Sequence, residues 1–268
     1  MGRGATREQM TVAILPWILP VGLLVAWQLL ADRPPAGHSL IPAPSEIVTA
    51  GVRLIRSGEL AHHAWVSLQR ALLGLLIGGS LGLFLGLVNG YWPLAERVLD
   101  SSVQMIRNVP HLALIPLVIL WFGLGEGSKI LLVALGVLFP IYVNTLHGVR
   151  SIDPGLLEMG RLHGLGPGAL FRQVIFPGAL PSILVGLRFA LGVMWLSLIV
   201  AETIATDSGI GYLAMNAREF MQTDVVILSV LIYALLGKGA DTAARLVERH
   251  FIAWDPRYLR SPEPTARS

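Results

Sequence analysis

The stretch that decides the fold runs from Asp153 to Pro181, with the sequence DPGLLEMGRLHGLGPGALFRQVIFPGALP, and it lies between two strongly apolar runs. Asp153 is a suitable N-cap for a first helix, and Pro154 occupies the first helical position, where a missing N–H is tolerated. Gly164 is a natural left-handed end for that helix. The pattern therefore predicts a short helix followed by a sharp turn.

A second short helix follows this turn. It is predicted to start at Gly166-Pro167, and Pro177 and Pro181 are predicted to interrupt it before the next apolar run. We call residues 153–176 the knuckle. A rigid, charged knuckle between two membrane spans indicates a surface on which a partner docks, and a structured connector without a partner is the alternative.

The composition of the whole chain excludes a soluble domain. Of its 268 residues, 54% are hydrophobic and only 14% are charged, and the mean hydropathy is +0.66. Such values are typical of a polytopic membrane protein. The formal net charge of +3 is too small for a nucleic-acid-binding footprint, and the absence of cysteine excludes disulfides and thiolate sites.

Six apolar runs are candidates for transmembrane helices, since a bilayer core needs about 20 apolar residues. The first is interpreted as a retained span and not a signal peptide. The third is short and broken by Pro116, which favours a helix that lines a pathway, with a simple kink as the alternative. The predicted spans are approximately 12–31, 68–89, 111–123, 130–146, 183–204 and 225–240. They define one transmembrane domain over 12–250, between an N-terminus of residues 1–11 and a polar tail of residues 251–268.

The second span contains a glycine at every fourth position. Rows of small residues at this spacing let two helices approach closely in a membrane, so helix packing is a better interpretation than chance or chemistry. The row consists of Gly74, Gly78, Gly82, Gly86 and Gly90.

The distribution of basic residues predicts the orientation. Most lysines and arginines fall on the side of the termini and the knuckle. Only Arg33, Arg53 and Arg56, which lie in one loop on the opposite side, argue against a cytoplasmic location of the termini and the knuckle. By the positive-inside rule, both termini and the knuckle are predicted to be cytoplasmic.

No catalytic or metal-binding pattern is present in the sequence. Residues 125–129, GEGSK, lack the spacing of a phosphate loop, and the histidines are scattered. Lys238 and Asp241 have the spacing of a local ion pair. Arg188 and Glu202 are charges in the fifth span, about 21 Å apart along one helix, so they cannot pair with each other. They either face a pathway or reach the interface. The pathway candidates are Asn108, His111, Asn144, Arg188 and Glu202.

The knuckle resembles a signature of permease subunits in ATP-binding-cassette (ABC) importers, which has the form Glu-Ala-Ala, then Gly, then Ile-x-Leu-Pro. Glu158, Gly164 and Pro177 match the signature. Met159 and Gly160 replace the two alanines, Val174 replaces the isoleucine, and Phe176 replaces the leucine. The resemblance implies that the knuckle is a coupling helix, which sits in a groove of a cytoplasmic ATPase. The implied docking residues are Glu158, Met159, Gly160, Arg161 and Gly164.

Longer matches, over residues 107–123, 177–192, 198–204, 208–220 and 233–238, resemble the permeases of aliphatic sulfonate importers. The resemblance implies an all-α integral membrane protein with about six transmembrane helices and the type I importer (MetI-like) fold. Related permeases for taurine, nitrate and pyrimidine precursors share the signature, so the substrate stays open within the family. A stand-alone channel or secondary carrier is the alternative from another class.

The resemblance also implies the partners and the location. A homodimer in the bacterial inner membrane would associate with two cytoplasmic ATPase subunits and an extracytoplasmic substrate-binding protein. The chain itself would bind no cofactor, metal or nucleic acid and would have no catalytic residues, since ATP would be used by the partner subunits.

Overall fold

The computed structural model describes residues 4–31, 41–204 and 206–252, and in the first helix the side chains at 15 and 18–31. The described residues contain helices and connecting turns, without a β-strand. The helices are α1 (Gly4–Ala31), α2 (Pro44–Ser57), α3 (Glu59–Tyr91), α4 (Pro93–Arg107), α5 (Ile115–Phe122), α6 (Glu126–Arg150), α7 (Pro154–Leu162), α8 (Pro167–Leu170), α9 (Phe176–Thr203), α10 (Ile210–Glu219) and α11 (Thr223–Phe251).

Four of these segments are long and apolar enough to cross a membrane: α3, α6, α11 and the continuous run Pro167–Thr203. A fifth crossing is possible if α4 and His111–Phe122, which are bent by 79° relative to each other, act as one span. The predicted third span is thus a broken helix, with a 3₁₀ turn at His111–Leu114 before α5. The predicted first span, 12–31, lies within α1, but some of its side chains lie outside the described residues.

The centre of the fold is the packing of α6 between α3 and α9. A Cβ atom on Gly86 would lie 2.6 Å from Thr145 Cβ, and one on Gly90 would lie 2.7 Å from Val149 Cβ, both on α6. Gly78 and Gly82 lie against the α6 backbone itself, and Gly74 lies against the Val133 side chain. The glycine row therefore brings the two helix backbones into close contact, as small residues do in membranes.

The predicted interruption at Pro177 and Pro181 is wrong. The chain stays helical from Pro167 to Thr203, with a π turn at Phe171–Ile175, Pro177 at the start of α9, and Pro181 inside it. In a regular helix the ring of Pro177 would press against the carbonyl four residues earlier, and the wider π turn before it gives the ring room. The last helix, α11, continues beyond the predicted sixth span, 225–240, and ends at Phe251.

Candidate functional site

The start and the end of the first knuckle helix have the predicted capping geometry. Asp153 Oδ1 accepts a 2.8 Å hydrogen bond from the Gly155 N–H. At the other end Gly164 has φ +76°, and the Leu165 N–H donates to the Gly160 carbonyl at 3.1 Å. This six-to-one bond beside a left-handed glycine is a Schellman motif. The predicted N-cap and the predicted left-handed end of α7 are therefore confirmed.

The inner face of the knuckle packs on the bundle. Gly160 is buried, and a Cβ atom there would lie 2.6 Å from Leu170 Cδ1. Leu170 and Ile175 are buried in one cluster with Val149 at the end of α6. Gly160, which the resemblance implied as a docking residue, therefore faces the interior of the knuckle because its missing side chain makes room for Leu170.

The outer face of α7 is open and partly apolar. Glu158, Arg161 and Gly164 are exposed. Leu162 is 87% exposed and Met159 is 51% exposed, although both are large hydrophobic residues. A structured helix that presents such side chains beside charged ones is typical of an interaction surface.

An ionic cluster with two buried members lies at the opposite end of the bundle, where α6 begins and α9 ends. Arg70 on α3, which is 2% exposed, forms two 2.6 Å bonds to the two carboxylate oxygens of Glu126 on α6. A third bond, of 2.8 Å, joins Arg70 Nη1 to Glu202 Oε1 on α9. We call Arg70, Glu126 and Glu202 the ionic cluster. It joins three helices through charge-assisted hydrogen bonds.

Glu202 is enclosed by hydrogen-bond donors. Its carboxylate accepts bonds from Ser67 Oγ and from the Tyr233 hydroxyl, each at 2.8 Å, and from the Gly211 N–H at 2.9 Å. Its residue exposure is 1%. A side chain that reaches the interface is therefore the wrong interpretation for Glu202, and its place is inside the protein and not on an open passage.

The ionic cluster also holds the connection into α10. Arg70 Nη1 donates to the Ser208 carbonyl at 2.7 Å, and the Gly209 N–H donates to His63 Nδ1 at 3.1 Å. Gly209 has φ +108°, and a Cβ atom there would collide with the Glu202 carboxylate. The chain can pass this close to the buried carboxylate only at glycine.

Two of the polar pathway candidates are bonded to neighbouring protein groups. His111 Nε2 lies 2.8 Å from Ser197 Oγ on α9. The Asn144 amide donates to the Pro140 carbonyl of its own helix at 2.8 Å. Asn108 is exposed at the end of α4. The structure therefore does not gather these three side chains into one site.

Arg188 belongs to a second charged group, between α9 and α11. Its Nε is 2.9 Å from Asp241 Oδ1, and its Nη1 is 3.9 Å from Glu248 Oε2. Arg245, one turn along α11, is also paired with Asp241. The local pair predicted between Asp241 and Lys238 is replaced by these contacts, because Arg188 reaches Asp241 from the neighbouring helix. Beside the pair lies a groove of about 410 Å³, lined by Val185, Arg188, Phe189, Gly192 and Asp241.

The ionic cluster was missed in the sequence, although a signal was available. Arg70 begins the second predicted span and Glu202 ends the fifth, so the alternating topology places both at the same side of the membrane. Opposite charges at one depth on different spans are candidates for pairing. Within the described part of the chain, no group of three or more histidine or acidic side chains could hold a metal ion.

The membrane-spanning fold and its knuckle have a counterpart among transport proteins. Residues 78–253 match the family described as "Binding-protein-dependent transport system inner membrane component". The chain belongs to this family, the permease subunits of ABC importers.

The most similar relatives include permeases named for sulfonate transport. The chain is 60% identical over 245 residues to SsuC of Escherichia coli (strain K12), an aliphatic sulfonates transport permease by name, covering 91% of this chain and 93% of that protein. SsuC of Bacillus subtilis (strain 168) is 44% identical, with 90% and 87% coverage. The taurine transport permease TauC of Escherichia coli is 33% identical, with 87% and 86% coverage.

Solved transporter structures share the fold. One chain of an amino acid ABC transporter, crystallised with histidines, aligns with a TM-score of 0.60 at 21% identity, covering 76% of this chain and 96% of that one. A chain of the MetNI methionine transporter aligns with a TM-score of 0.55 at 19% identity, covering 70% and 93%. The type I importer fold implied by the resemblance is therefore confirmed.

Proposed function

We propose that this chain is the permease of an importer for aliphatic sulfonates and forms their path through the membrane. The observation that carries the proposal is the 60% identity to an aliphatic sulfonate permease over nine-tenths of both chains. A sulfonate is a permanent anion, and the barrier to a bare charge in hydrocarbon is large. It therefore needs a route lined by protein.

The family and the exposed face of the knuckle support the proposed partners. Two copies of the chain associate with two cytoplasmic ATPase subunits and with an extracytoplasmic binding protein. The exposed face of the knuckle, with Glu158, Met159, Arg161 and Gly164, docks in the ATPase groove, and Leu162 supplies apolar contact. ATP is bound and hydrolysed by the partner subunits, and this chain holds no nucleotide.

Transport proceeds by alternating access. ATP binding closes the ATPase dimer, and each docked knuckle moves with its ATPase. The inner face of the knuckle is packed on the ends of α6 and α9, so its movement is passed to these helices. The two permease copies then open toward the binding protein, which releases the sulfonate into the shared cavity.

We expect a strain that lacks this gene to fail to grow on a short linear alkanesulfonate as sole sulfur source, while its growth on sulfate stays normal. Growth rate on each sulfur source is the measurement. The chain alone should not restore growth when the ATPase or the binding protein is also missing, and restoration by the chain alone would favour a stand-alone carrier. Loss of growth on taurine or nitrate with sulfonate growth intact would contradict the substrate and keep the family.

The proposed orientation, with both termini and the knuckle in the cytoplasm, can be tested by labelling, because the chain has no cysteine of its own. A Cβ atom at Gly168 in the knuckle, or at Gly127 at the other end of α6, meets no atom within 4 Å. In intact cells, Gly127→Cys should react with an impermeant thiol reagent and Gly168→Cys should not. In lysed cells both should react. Labelling of the Gly168→Cys variant in intact cells would contradict the proposed orientation and indicate the opposite one.

A further inference from the structure

The charged group around Arg188 lies deep in the apolar part of the bundle. With a rise of about 1.5 Å per residue, Arg188 is roughly 18 Å from the start of α9 and roughly 22 Å from its end. The run that contains it, Pro167–Thr203, has the composition of a membrane span. Arg188 lies about 21 Å along α9 from Glu202 at one end of the bundle, and the hydrocarbon core is about 30 Å thick. The Arg188–Asp241 pair therefore lies in the half of the membrane nearer the knuckle.

This charged group is not enclosed within the chain. The side chain of Arg188 is 43% exposed and that of Asp241 is 31% exposed. Val185, Arg188, Phe189 and Gly192 are all exposed on one face of α9. Charged side chains at membrane depth face a protein interior or a water-filled cavity and not lipid. This face of α9 is therefore expected to meet a second copy of the chain or a water-filled cavity in the assembled permease, and not lipid.

We propose that Arg188 is the transient binding residue for the sulfonate group during passage, and that Asp241 is the counter-ion from which the anion displaces it. This inference rests on the proposed function. Arginine presents a planar fork of N–H donors that suits an oxyanion. The Asp241 carboxylate competes for the same donors, so the anion is held only briefly and can leave toward the cytoplasm.

The surrounding charges make this exchange feasible. Asp241 is also paired with Arg245, so it keeps a partner when Arg188 turns to the anion. Glu248 lies 3.9 Å from Arg188 and adds to the competition for its donors. Through Arg245, Asp241 thus does not become an isolated charge in the membrane during the exchange.

The groove beside Arg188 also fits the rest of the substrate. Phe189 is 70% exposed and forms an apolar wall with Val185. A Cβ atom on Gly192 would meet nothing within 4 Å, so the floor of the groove is open. An anionic head against Arg188 and a short alkyl chain against Phe189 match both parts of an alkanesulfonate.

The test uses the complete complex of permease, ATPase and binding protein in proteoliposomes. Uptake of a radiolabelled short alkanesulfonate and ATPase stimulation by loaded binding protein are measured together. Arg188→Gln should reduce uptake roughly 10- to 100-fold, the usual effect of losing a charged hydrogen bond to an anion. ATPase stimulation should persist, because the knuckle is unchanged, and Arg188→Lys should recover part of the uptake. The matched control is Arg53→Gln, which removes an arginine paired with Asp224 at 3.5 Å outside the groove and should transport normally.

A double variant separates binding of the anion from mere neutralisation of Asp241. Arg188→Gln with Asp241→Asn removes both charges of the pair, so the Asp241 carboxylate is not left behind without Arg188. Glu248, which lies 3.9 Å from Arg188, loses this partner equally in the single and the double variant. Uptake should stay low if Arg188 binds the sulfonate. Recovery to the wild-type rate would show that Arg188 only balances Asp241 and would overturn the inference.

A second approach leaves the charges in place. Gly192→Leu should extend an alkyl side chain into the groove, because a Cβ atom there meets nothing within 4 Å, and it should reduce uptake even if the Arg188 variants fail to assemble. Normal uptake by Gly192→Leu would overturn the inference. If the wild-type complex transports alkanesulfonate and Arg188→Gln does so equally well, only the inference fails. If the wild-type complex transports no alkanesulfonate, the proposed function fails and the inference fails with it.

Discussion

Arg70→Met is expected to lower the free energy of unfolding by about 3–5 kcal/mol, because removing one partner of a buried ion pair leaves the other charge uncompensated. Arg70 is 2% exposed and Glu202 is 1% exposed, so water cannot replace the lost partner of Glu202. Glu126, whose side chain is 55% exposed, should contribute less to the loss. The thermal midpoint of the purified protein in detergent and the yield of folded protein in the membrane are the measurements.

Two further variants make this prediction specific. Arg53→Met removes an arginine that is paired with Asp224 at 3.5 Å and whose side chain is 63% exposed. Exposed pairs contribute about 0–1 kcal/mol, so this control should unfold near the wild-type temperature. Adding Glu202→Gln to Arg70→Met removes the isolated charge and should recover part of the stability. Equal losses in Arg70→Met and Arg53→Met would contradict the role of the ionic cluster.

Gly164→Val is expected to abolish transport and the stimulation of ATPase activity by loaded binding protein, while the protein still inserts into the membrane. Gly164 has φ +76°, and a β-branched residue there costs about 1–3 kcal/mol of backbone strain. A Cβ atom at this position meets nothing within 4 Å, so the effect would come from the backbone and not from a collision. Relief of this strain would change the turn after α7 and move the proposed docking face.

The neighbouring glycine provides a matched control. Gly166 has φ −67° and ψ 167°, which a valine adopts easily, and its Cβ position is also open. Gly166→Val should therefore keep both uptake and ATPase stimulation. If Gly164→Val also kept its stimulation, the knuckle would be only a connector between membrane spans.

The features that could be predicted from the sequence are local ones. Asp153, Pro154 and Gly164 specify the two ends of α7 through their own capping and turn chemistry, which needs no distant partner. The apolar runs likewise predicted α6, α9 and α11, because the length and composition of a span are properties of one segment. The glycine row predicted a close helix contact but not its partner, which the structure identifies as α6.

The features that could not be predicted depend on geometry between or around segments. The prolines at 177 and 181 predicted a break, because proline usually interrupts a helix. This rule does not anticipate the π turn that accommodates Pro177. Gly160 was implied as a docking residue, and only the position of Leu170 shows that it faces inward. Asp241 had a suitable local partner in Lys238, but its observed partners are Arg188 and Arg245.

By itself, the sequence determined a helical membrane protein of the importer permease family, with a capped knuckle between two spans. Apolar length, capping residues and signature spacing are each properties of one continuous segment of the chain. Only the tertiary structure decided which charges meet. Arg70 and Glu202 are 132 residues apart in the sequence, and Arg188 and Asp241 are 53 apart. Whether such charges pair depends on the depth and rotation of packed helices, because an ion pair in a membrane is stable only where packing holds its partners within bonding distance.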